Sequence, residues 1–359
     1  SGLSYNGCMS NRSKKTGSPN DAYARQAQAA LIRLLQRSRT ARIIAAILCI
    51  LIAVYALNWY LGDPLEIMQS GPAPAPPPST AAPAPTAVGA VSSGPSAGNG
   101  ETLDAYFIDI GQGDCIFLEA PDGSTMLIDA GDRGNFPIID AFLKAGDIER
   151  LDVVVATHMH ADHIGSMAEV IDSYDIGVFY MPDQDASSNC YADMVDALAA
   201  KNIPIQTAKL LPSDTGPMVV DWADGVEVLI LSPFDGSYAS ANDYSIVMRI
   251  RYGESAILLT GDAETTAERI LLKALPHRYV QANVLKVGHH GSTTSTCAQF
   301  LSAVSPDIAV ISCGEGNKYG HPEQPVLDRL SDAHVETVRT DMLGTIHVAL
   351  DGTAARVVE

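Results

Sequence analysis

The stretch Thr157-His158-Met159-His160-Ala161-Asp162-His163-Ile164-Gly165-Ser166 places four metal-competent side chains within six residues. It follows directly on the apolar, β-branched run LDVVVA at 151–156, which is typical of a buried strand. Residues 164–173 have the spacing of a helix, so the histidines lie on the connection at the carboxyl end of a strand. Open α/β sheets usually carry their chemistry at that edge. The stretch therefore predicts a functional site in an α/β fold.

The spacing within this stretch favours metal binding. His158 and His160 can share one ion, because side chains at i and i+2 of extended backbone point the same way. Asp162 and His163 follow after the chain turns, and face either a second ion or the other side of the first. Imidazole and carboxylate at this density suit Zn, Mn or Fe. A solvated, histidine-rich loop is the alternative, but such loops rarely combine three histidines and an aspartate at this spacing.

Three other predicted strands end in residues of the same kind. LIDAG ends one strand with Asp129, LLTGD ends another with Asp262, and LKVGHHGS supplies His289 and His290. Taken alone, an aspartate at a strand end is more often a turn residue than a ligand. The recurrence of such residues after successive strands predicts that they join the histidine cluster in one site.

The globular part alternates short apolar runs with helical stretches. Strands are predicted at 103–110, 115–119, 125–129, 152–156, 176–180, 226–231, 245–252, 256–260, 283–287, 307–311, 335–337 and 345–350. Helices are predicted at 137–145, 164–173, 191–201, 263–274, 297–303 and 323–332. So many strands favour an α/β sandwich over a single doubly wound sheet.

The charge and hydropathy of the first 61 residues differ from those of the remainder. The first 42 residues hold eight Lys and Arg and one acidic residue, whereas the remaining residues hold 15 basic and 41 acidic side chains. The uncharged stretch IIAAILCILIAVYALNWYL at 43–61 follows, and it is long enough for one transmembrane helix. Tyr55, Trp59 and Tyr60 near its end are typical of an interfacial aromatic belt. A cleaved signal peptide is the alternative, but its apolar core is typically shorter.

These features predict the topology. Arginines directly before the span, at positions 33, 37, 39 and 42, favour a cytoplasmic N-terminus by the positive-inside rule. The Pro-, Ala-, Gly- and Ser-rich segment after the span favours an extended, semi-rigid spacer. The predicted organisation is a basic cytoplasmic segment at 1–42, a transmembrane helix at 43–61, a linker at 62–101 and a globular domain at 102–359. We therefore expect a single-pass protein of the cell membrane with an extracellular globular domain. The six cysteines show no CxxC spacing and indicate no disulfide framework.

The ordered motifs IDAG, HMHADH, LTGD and HHGS are similar to those of the metallo-β-lactamase fold. More narrowly, DIGQGD at 109–114, LKVGHHGS at 285–292 and YGHP at 319–322 resemble the hydrolase domain of ComEC-type competence proteins. The resemblance covers roughly residues 103–350. It implies an αββα sandwich, two sheets faced by helices, with a binuclear metal site at one edge.

The resemblance also implies roles for individual residues. The first ion would be bound by His158 and His160, the second by Asp162, His163 and either His289 or His290, with Asp262 bridging both. Between the last two histidines, His289 is the one we expect. Asp129 would orient histidine ligands without touching an ion. The implied cofactors are two divalent metal ions, with Zn²⁺ expected and Mn²⁺ as the alternative.

Two departures qualify the resemblance. Many relatives carry a histidine before the strand that leads to Asp262, whereas the matching stretch here is SANDYS at 240–245. The first ion would then have fewer protein ligands, as in ComEC-type chains, and water or substrate would complete it. ComEC proteins are polytopic channels, whereas this chain has one predicted span, so it cannot itself be a DNA channel.

The resemblance implies a hydrolase that uses a hydroxide held by the binuclear site. Asp162, Asp262 or Asp129 would relay its proton, and Lys286 and His321, expected on loops at the metal edge, would steady developing negative charge. Alternatively Lys286 is a surface charge and His321 a turn residue. The expected activity is that of a phosphodiesterase or nuclease, acting on DNA or on a cell-envelope phosphodiester.

Two other functions remain open. One is a lactone or ester hydrolase on the same scaffold, and the other is a catalytically weak accessory protein of a DNA-uptake or envelope assembly. The acidic character of the globular part disfavours broad binding to duplex DNA, which depends largely on Lys and Arg contacts to phosphate. It favours a small phosphodiester or a short, locally engaged strand.

Overall fold

Two β-sheets with helices on their outer faces make up residues 101–211 and 216–358, which the computed structural model describes. The strands are β1 (Leu103–Phe107), β2 (Ile116–Glu119), β3 (Thr125–Ile128), β4 (Arg150–Val155), β5 (Asp175–Pro182), β6 (Ile205–Ala208), β7 (Met218–Val220), β8 (Val226–Ser232), β9 (Val247–Tyr252), β10 (Ser255–Leu259), β11 (Val284–Lys286), β12 (Ile308–Ile311), β13 (Glu336–Arg339), β14 (Ile346–Leu350) and β15 (Ala355–Val358). The first sheet has the order β15-β14-β1-β2-β3-β4-β5-β6, and the second the order β13-β12-β11-β10-β9-β8-β7.

The helices lie between strands along the chain. They are α1 (Phe136–Ala145), α2 (Ala161–Ile164), α3 (Met167–Ser173), α4 (Asn189–Lys201), α5 (Thr265–Ala274), α6 (Ala298–Val304), α7 (Gln324–Asp332) and α8 (Thr340–Leu343). Helices α1, α3 and α4 pack on the outer face of the first sheet, and α5, α6 and α7 on that of the second. The expected αββα sandwich of two sheets is confirmed.

The alternation of side chains along the strands builds the layers. On β4, Val153 and Val155 point into the core between the two sheets, whereas Val154 points outward against the helices. Strands buried on both faces need apolar residues at every position, which is the composition of the run from 153 to 156. The helices complete the outer layers with residues such as Phe142 and Phe300, both almost fully buried.

The parallel strands bring the polar strand ends together. β3 and β4 run parallel in the first sheet, and β10, β11 and β12 run parallel in the second. The carboxyl ends of parallel strands lie at one edge of their sheet, so the connections that follow them are neighbours. Asp129 follows β3, the histidine stretch follows β4, Asp262 follows β10 and His290 follows β11.

All twelve predicted strands overlap observed ones, but β6, β7 and β15 were not predicted. All three are edge strands: β15 and β6 lie at the two edges of the first sheet, and β7 lies at one edge of the second. Much of each strand is exposed, so the sequence lacks a strong apolar pattern there. Pairing with a neighbouring strand, which is a tertiary effect, decides their conformation.

The predicted helix at 164–173 is wrong at its start. The chain forms α2 from Ala161, breaks at Gly165 and continues as α3. Gly165 donates its amide to the Gly131 carbonyl at 2.7 Å, and a Cβ there would lie 2.3 Å from the backbone nitrogen of Arg133. This close backbone approach interrupts the helix, and it places Asp162 and His163 on α2 instead of on a loop.

The segments 1–42 and 43–61, and all of the linker except its last residue, lie outside the described residues. Within the described ranges, no helix combines the length and apolarity needed to cross a bilayer. The anchor and its linker therefore stay predictions.

Candidate metal centre

A pair of histidines after β4 forms the first group of nitrogen ligands. His158 is fully buried, and its Nε2 lies 3.1 Å from Nδ1 of the exposed His160. Two nitrogens bound tetrahedrally to one Zn²⁺ at about 2.0–2.1 Å would be separated by roughly 3.3 Å. The spacing of the two rings therefore fits two ligands of one ion, as their alternation in the sequence predicts.

A second group contains His163 and Asp162 from α2 and His290 from the turn after β11. Nε2 of His290 lies 3.6 Å from Oδ2 of Asp162, and the rings of His163 and His290 are 5.3 Å apart. Ligand atoms from these three side chains lie within 4.8 Å of one another. They come from both sheets, so the group exists only in the folded sandwich.

Asp262 lies between the two groups. Its Oδ2 is 3.3 Å from Nε2 of His163, 3.5 Å from Nε2 of His290 and 3.9 Å from Nε2 of His158. The hydroxyl of Ser245 accepts a hydrogen bond from the Asp262 amide at 3.1 Å and fixes the backbone at the end of β10. One carboxylate thus contacts nitrogens of both histidine groups.

Several buried polar atoms of the cluster lack a hydrogen bond within 101–211 and 216–358. These atoms are Nε2 of His163, Nε2 of His290 and Oδ1 of Asp262. Buried polar groups are normally hydrogen-bonded, because leaving them unpaired is costly. Coordination to a divalent ion would give each of these three atoms a partner, so the residues fit a divalent metal site.

The opposite nitrogens of the two buried rings are held by the protein. His163 Nδ1 lies 2.7 Å from Oδ2 of Asp129, and His290 Nδ1 lies 3.0 Å from the carbonyl oxygen of Ser312. A carbonyl can only accept, so Nδ1 of His290 carries a proton, and the Nε2 lone pair would be free for an ion when the ring is neutral. Metal-binding histidines commonly have this arrangement.

Asp129, which the resemblance implies as an orienting residue, contacts His163 and Thr157. It is fully buried and accepts hydrogen bonds from the Thr157 amide at 2.8 Å and the Thr157 hydroxyl at 2.7 Å. Burial raises the pKa of Asp129, an effect that the neighbouring His163 opposes. Its carboxylate is committed to His163 and Thr157.

A second orienting carboxylate, Asp114, was not singled out from the sequence. Asp114 is buried, and its Oδ2 pairs with Nζ of Lys286 at 2.9 Å while its Oδ1 lies 3.5 Å from Nδ1 of His290. Burial raises the pKa of Asp114, but Lys286 and His290 outweigh it and lower it to about 2. Its position at the end of DIGQGD was the available signal, but a contact across 172 positions cannot be read from that motif alone.

Charge is concentrated in this cluster. Burial alone would raise the pKa of Asp262. The neighbouring His290, His163 and His158 outweigh that effect and hold the pKa of Asp262 well below its usual range. Burial, together with neighbouring His163, lowers the pKa of His158 well below its usual value. Burial also lowers the pKa of His290, yet the surrounding carboxylates raise it to about 9. Anionic carboxylates thus face the nitrogens of the site.

The structure distinguishes the two adjacent histidines, and it favours His290 over the expected His289. His289 is only partly buried, its Nδ1 lies 3.0 Å from the Thr294 hydroxyl, and its Nε2 is 3.8 Å from Oδ2 of Asp262. Both residues have positive φ, at 48° and 53°. This unusual turn sends consecutive side chains in different directions, which the sequence pattern did not reveal.

Lys286 differs from the expected placement on a loop at the metal edge. Lys286 is the last residue of β11 and is completely buried, with Nζ also donating to the Val287 carbonyl at 3.0 Å. It neutralises Asp114 and does not face a substrate. His321 does lie at the rim, with its ring 5.4 Å from that of His289.

The stretch that lacks a histidine lies beside the first ligand group. Ser245 Oγ is 3.4 Å from Nδ1 of His158. The side-chain Nδ2 of Asn242 lies 3.2 Å from Glu264 Oε1 and 3.4 Å from the His289 ring. Asp243 accepts from the amides of Glu264 and Ala267, where it supports the start of α5. The stretch therefore positions neighbouring residues of the site.

The family description "Metallo-beta-lactamase superfamily" matches residues 108–315, which include both ligand groups. The chain belongs to this superfamily. It is 31% identical over 256 residues to ComE operon protein 3 of Bacillus subtilis, covering 67% of this chain and 32% of that protein. It is 29% identical over 248 residues to Recombination protein 2 of Haemophilus influenzae, covering 67% of this chain and 28% of that protein.

The metallo-β-lactamase domain is thus related to ComEC-type competence proteins, as its motifs predict, and the chain spans about a third of their length or less. Among solved structures, CmlA, a diiron beta-hydroxylase from Streptomyces venezuelae, matches with a TM-score of 0.43 and 14% identity. That match covers 72% of this chain and 54% of CmlA. The superfamily and the ligand clusters identify a hydrolase domain with a site for divalent metal.

Proposed function

We propose that the chain is a membrane-anchored, metal-dependent phosphodiesterase with its catalytic domain outside the membrane. The observation that carries this proposal is the position of Asp262, whose Oδ2 lies within 3.9 Å of nitrogens from both histidine groups. A carboxylate between two sets of ligands is the arrangement that a pair of ions requires. We propose His158, His160 and Asp262 for the first ion, and Asp162, His163, His290 and Asp262 for the second.

Two divalent ions at such a site, Zn²⁺ or Mn²⁺, would supply a water activated near neutral pH and charge stabilisation for the attacking and leaving oxygens. The protein's own residues orient these parts. Asp129 and the Ser312 carbonyl hold the two buried rings, and the Asp114–Lys286 pair lies behind His290. Asp162, whose side chain is 27% exposed, is the carboxylate placed to accept a proton from the solvent side.

The relatives support a nucleic acid or another phosphodiester as the substrate. They are named as a recombination protein and a protein of the ComE operon, and both span far more than this chain. The strongly acidic composition beyond residue 42 argues against tight, general binding of duplex DNA. We therefore favour a phosphodiester engaged locally at the metal centre.

An activity panel tests the proposal. The 359-residue chain in detergent would be assayed, with metal and after chelation, on bis(p-nitrophenyl) phosphate, single-stranded DNA, duplex DNA and a lactone. We expect hydrolysis of phosphodiesters that is lost on chelation and restored by Zn²⁺ or Mn²⁺. Faster hydrolysis of the lactone would favour an ester hydrolase, and a metal-loaded chain inactive on every substrate would favour an accessory role.

A further inference from the structure

An exposed tyrosine stands one side chain away from the proposed metal ligands. Tyr319 is 54% exposed, and its ring stacks on that of His321 with centroids 5.8 Å and planes 22° apart. The His321 ring lies in turn 6.4 Å from the ring of His290, at an interplanar angle of 29°. Three nearly parallel rings therefore lead from solvent to the buried ligand group.

The loop that carries this tyrosine is held in place by one side chain. Oδ1 of Asn317 accepts hydrogen bonds from the amides of Tyr319 at 3.2 Å and His321 at 3.1 Å. Its Nδ2 donates to the carbonyls of Gly314, at 2.9 Å, and His321. The backbone that carries the ring is therefore already in place when a ligand covers the ring, and such pre-organisation favours binding.

Two polar groups accompany the ring. Nζ of Lys318 lies over the Tyr319 ring, 4.9 Å from its centroid, and places a positive charge at the aromatic face. Nδ1 of His321 is buried and has no hydrogen-bond partner in the part of the chain that is described. A flat apolar face, a cation and an unused polar atom thus lie together beside the metal ligands.

We propose that Tyr319 stacks on an unpaired nucleobase close to the phosphodiester that is hydrolysed, with Lys318 beside the backbone phosphate of that strand. This proposal rests on the proposed phosphodiesterase function and names its substrate class. Proteins that bind single-stranded nucleic acid combine aromatic platforms with cationic groups, because every base has a π-face. A polyol or sugar phosphate has no such face, so stacking on the Tyr319 ring would contribute little to its binding. A base paired inside a duplex is unavailable for stacking.

Binding can be measured without turnover. A fluorescent pentathymidylate with phosphorothioate linkages, which resist cleavage, would be compared by anisotropy with an abasic strand of equal length and charge. The metal-loaded 359-residue chain is expected to bind the thymidylate about tenfold more tightly, since stacking contributes about 1–3 kcal/mol per base. Tyr319→Ala should remove this preference, whereas Tyr319→Phe keeps the ring and should retain it.

The outcomes separate this inference from the proposed function. Equal binding of both strands by the unaltered chain, or an undiminished preference in Tyr319→Ala, would overturn the stacking site even if phosphodiesters are hydrolysed. Equal binding would point to a sugar- or polyol-phosphate polymer as the substrate. Conversely, a base preference that depends on Tyr319 would support the site even if the activity panel assigned another reaction.

Discussion

At the scale of single residues, the metal centre depends on which nitrogen of each histidine the protein holds. Asp129 and the Ser312 carbonyl each engage one Nδ1, and this leaves two Nε2 atoms buried and directed at Asp262. The sequence could predict the ligands in one dense stretch, because their spacing carries the information. It could not choose His290 over His289, because that choice depends on two successive positive φ angles.

The buried ion pair of Lys286 with Asp114 provides a prediction about stability. Replacing Lys286 with Met should lower the free energy of unfolding of the metal-free protein by about 3–5 kcal/mol, because the buried Asp114 carboxylate would lose the cation that it pairs with most closely. Chemical denaturation of the metal-free chain measures this change.

The matched control removes both charges. The Lys286→Met/Asp114→Asn double variant should recover most of the lost stability, since no uncompensated charge then remains in the interior. Unfolding of Lys286→Met at the denaturant concentration of the unaltered chain would contradict the role assigned to this pair.

At the scale of elements, the helices of the second sheet hold the loops of the site. Glu268 on α5 is 3% exposed and accepts hydrogen bonds from the amides of Thr296 and of Cys297, the latter at 2.9 Å. Both amides belong to the segment between the HHGS turn and α6. The strand and helix patterns predicted α5 and α6, but not this link, because a buried glutamate on a helix resembles an ordinary surface residue in sequence.

The same glutamate provides a prediction about pH. Burial raises the pKa of Glu268 from 4.5 to about 7 in the folded protein. The folded state therefore binds this proton more tightly than the unfolded chain, so the stabilising contribution is complete below about pH 4.5 and is lost as pH rises through 7. The loss should amount to no more than about 3 kcal/mol.

Glu268→Gln isolates this effect, because the amide cannot lose a proton. The difference in unfolding free energy between the variant and the unaltered metal-free chain should change between pH 5 and pH 8, in favour of the variant at the higher pH. A constant difference over this range would contradict the raised pKa.

At the scale of the whole molecule, the described domain accounts for the hydrolase part, and the N-terminal features stay a separate proposal. The basic segment, the uncharged span at 43–61 and the Pro-rich spacer predict an anchor that holds the domain outside the membrane. These predictions rest on local composition, so they can be made from the sequence without knowledge of tertiary contacts. Strand and helix periodicity predicted an α/β sandwich and the resemblance of the motifs implied its αββα layering, whereas the exposed edge strands β6, β7 and β15 were not predicted.

Protease accessibility tests the predicted topology. Protease added to intact cells should release the globular domain through the linker, while the first 40 or so residues stay protected on the cytoplasmic side. Detection of the two fragments with terminal tags would measure this. Release of the globular domain only after the cells are lysed would contradict the predicted orientation.

The central claim is that Asp262 joins two metal ions in one hydrolytic centre. The most direct test measures metal content and bis(p-nitrophenyl) phosphate hydrolysis in Asp262→Ala, with Asp109→Ala as the control. Asp109 accepts a hydrogen bond from the Gly111 amide at 3.1 Å and supports that turn without joining the ligand clusters. We expect the unaltered chain to bind about two ions.

Asp262→Ala should lose bound metal and all hydrolysis, and the thermal transition of the metal-free form should fall, because His163 and His290 lose the carboxylate that faces them. Asp109→Ala should also lower stability, by removing the bond to the Gly111 amide, but it should retain bound metal and partial activity. Robust phosphodiester hydrolysis by Asp262→Ala would contradict the binuclear mechanism for this chain.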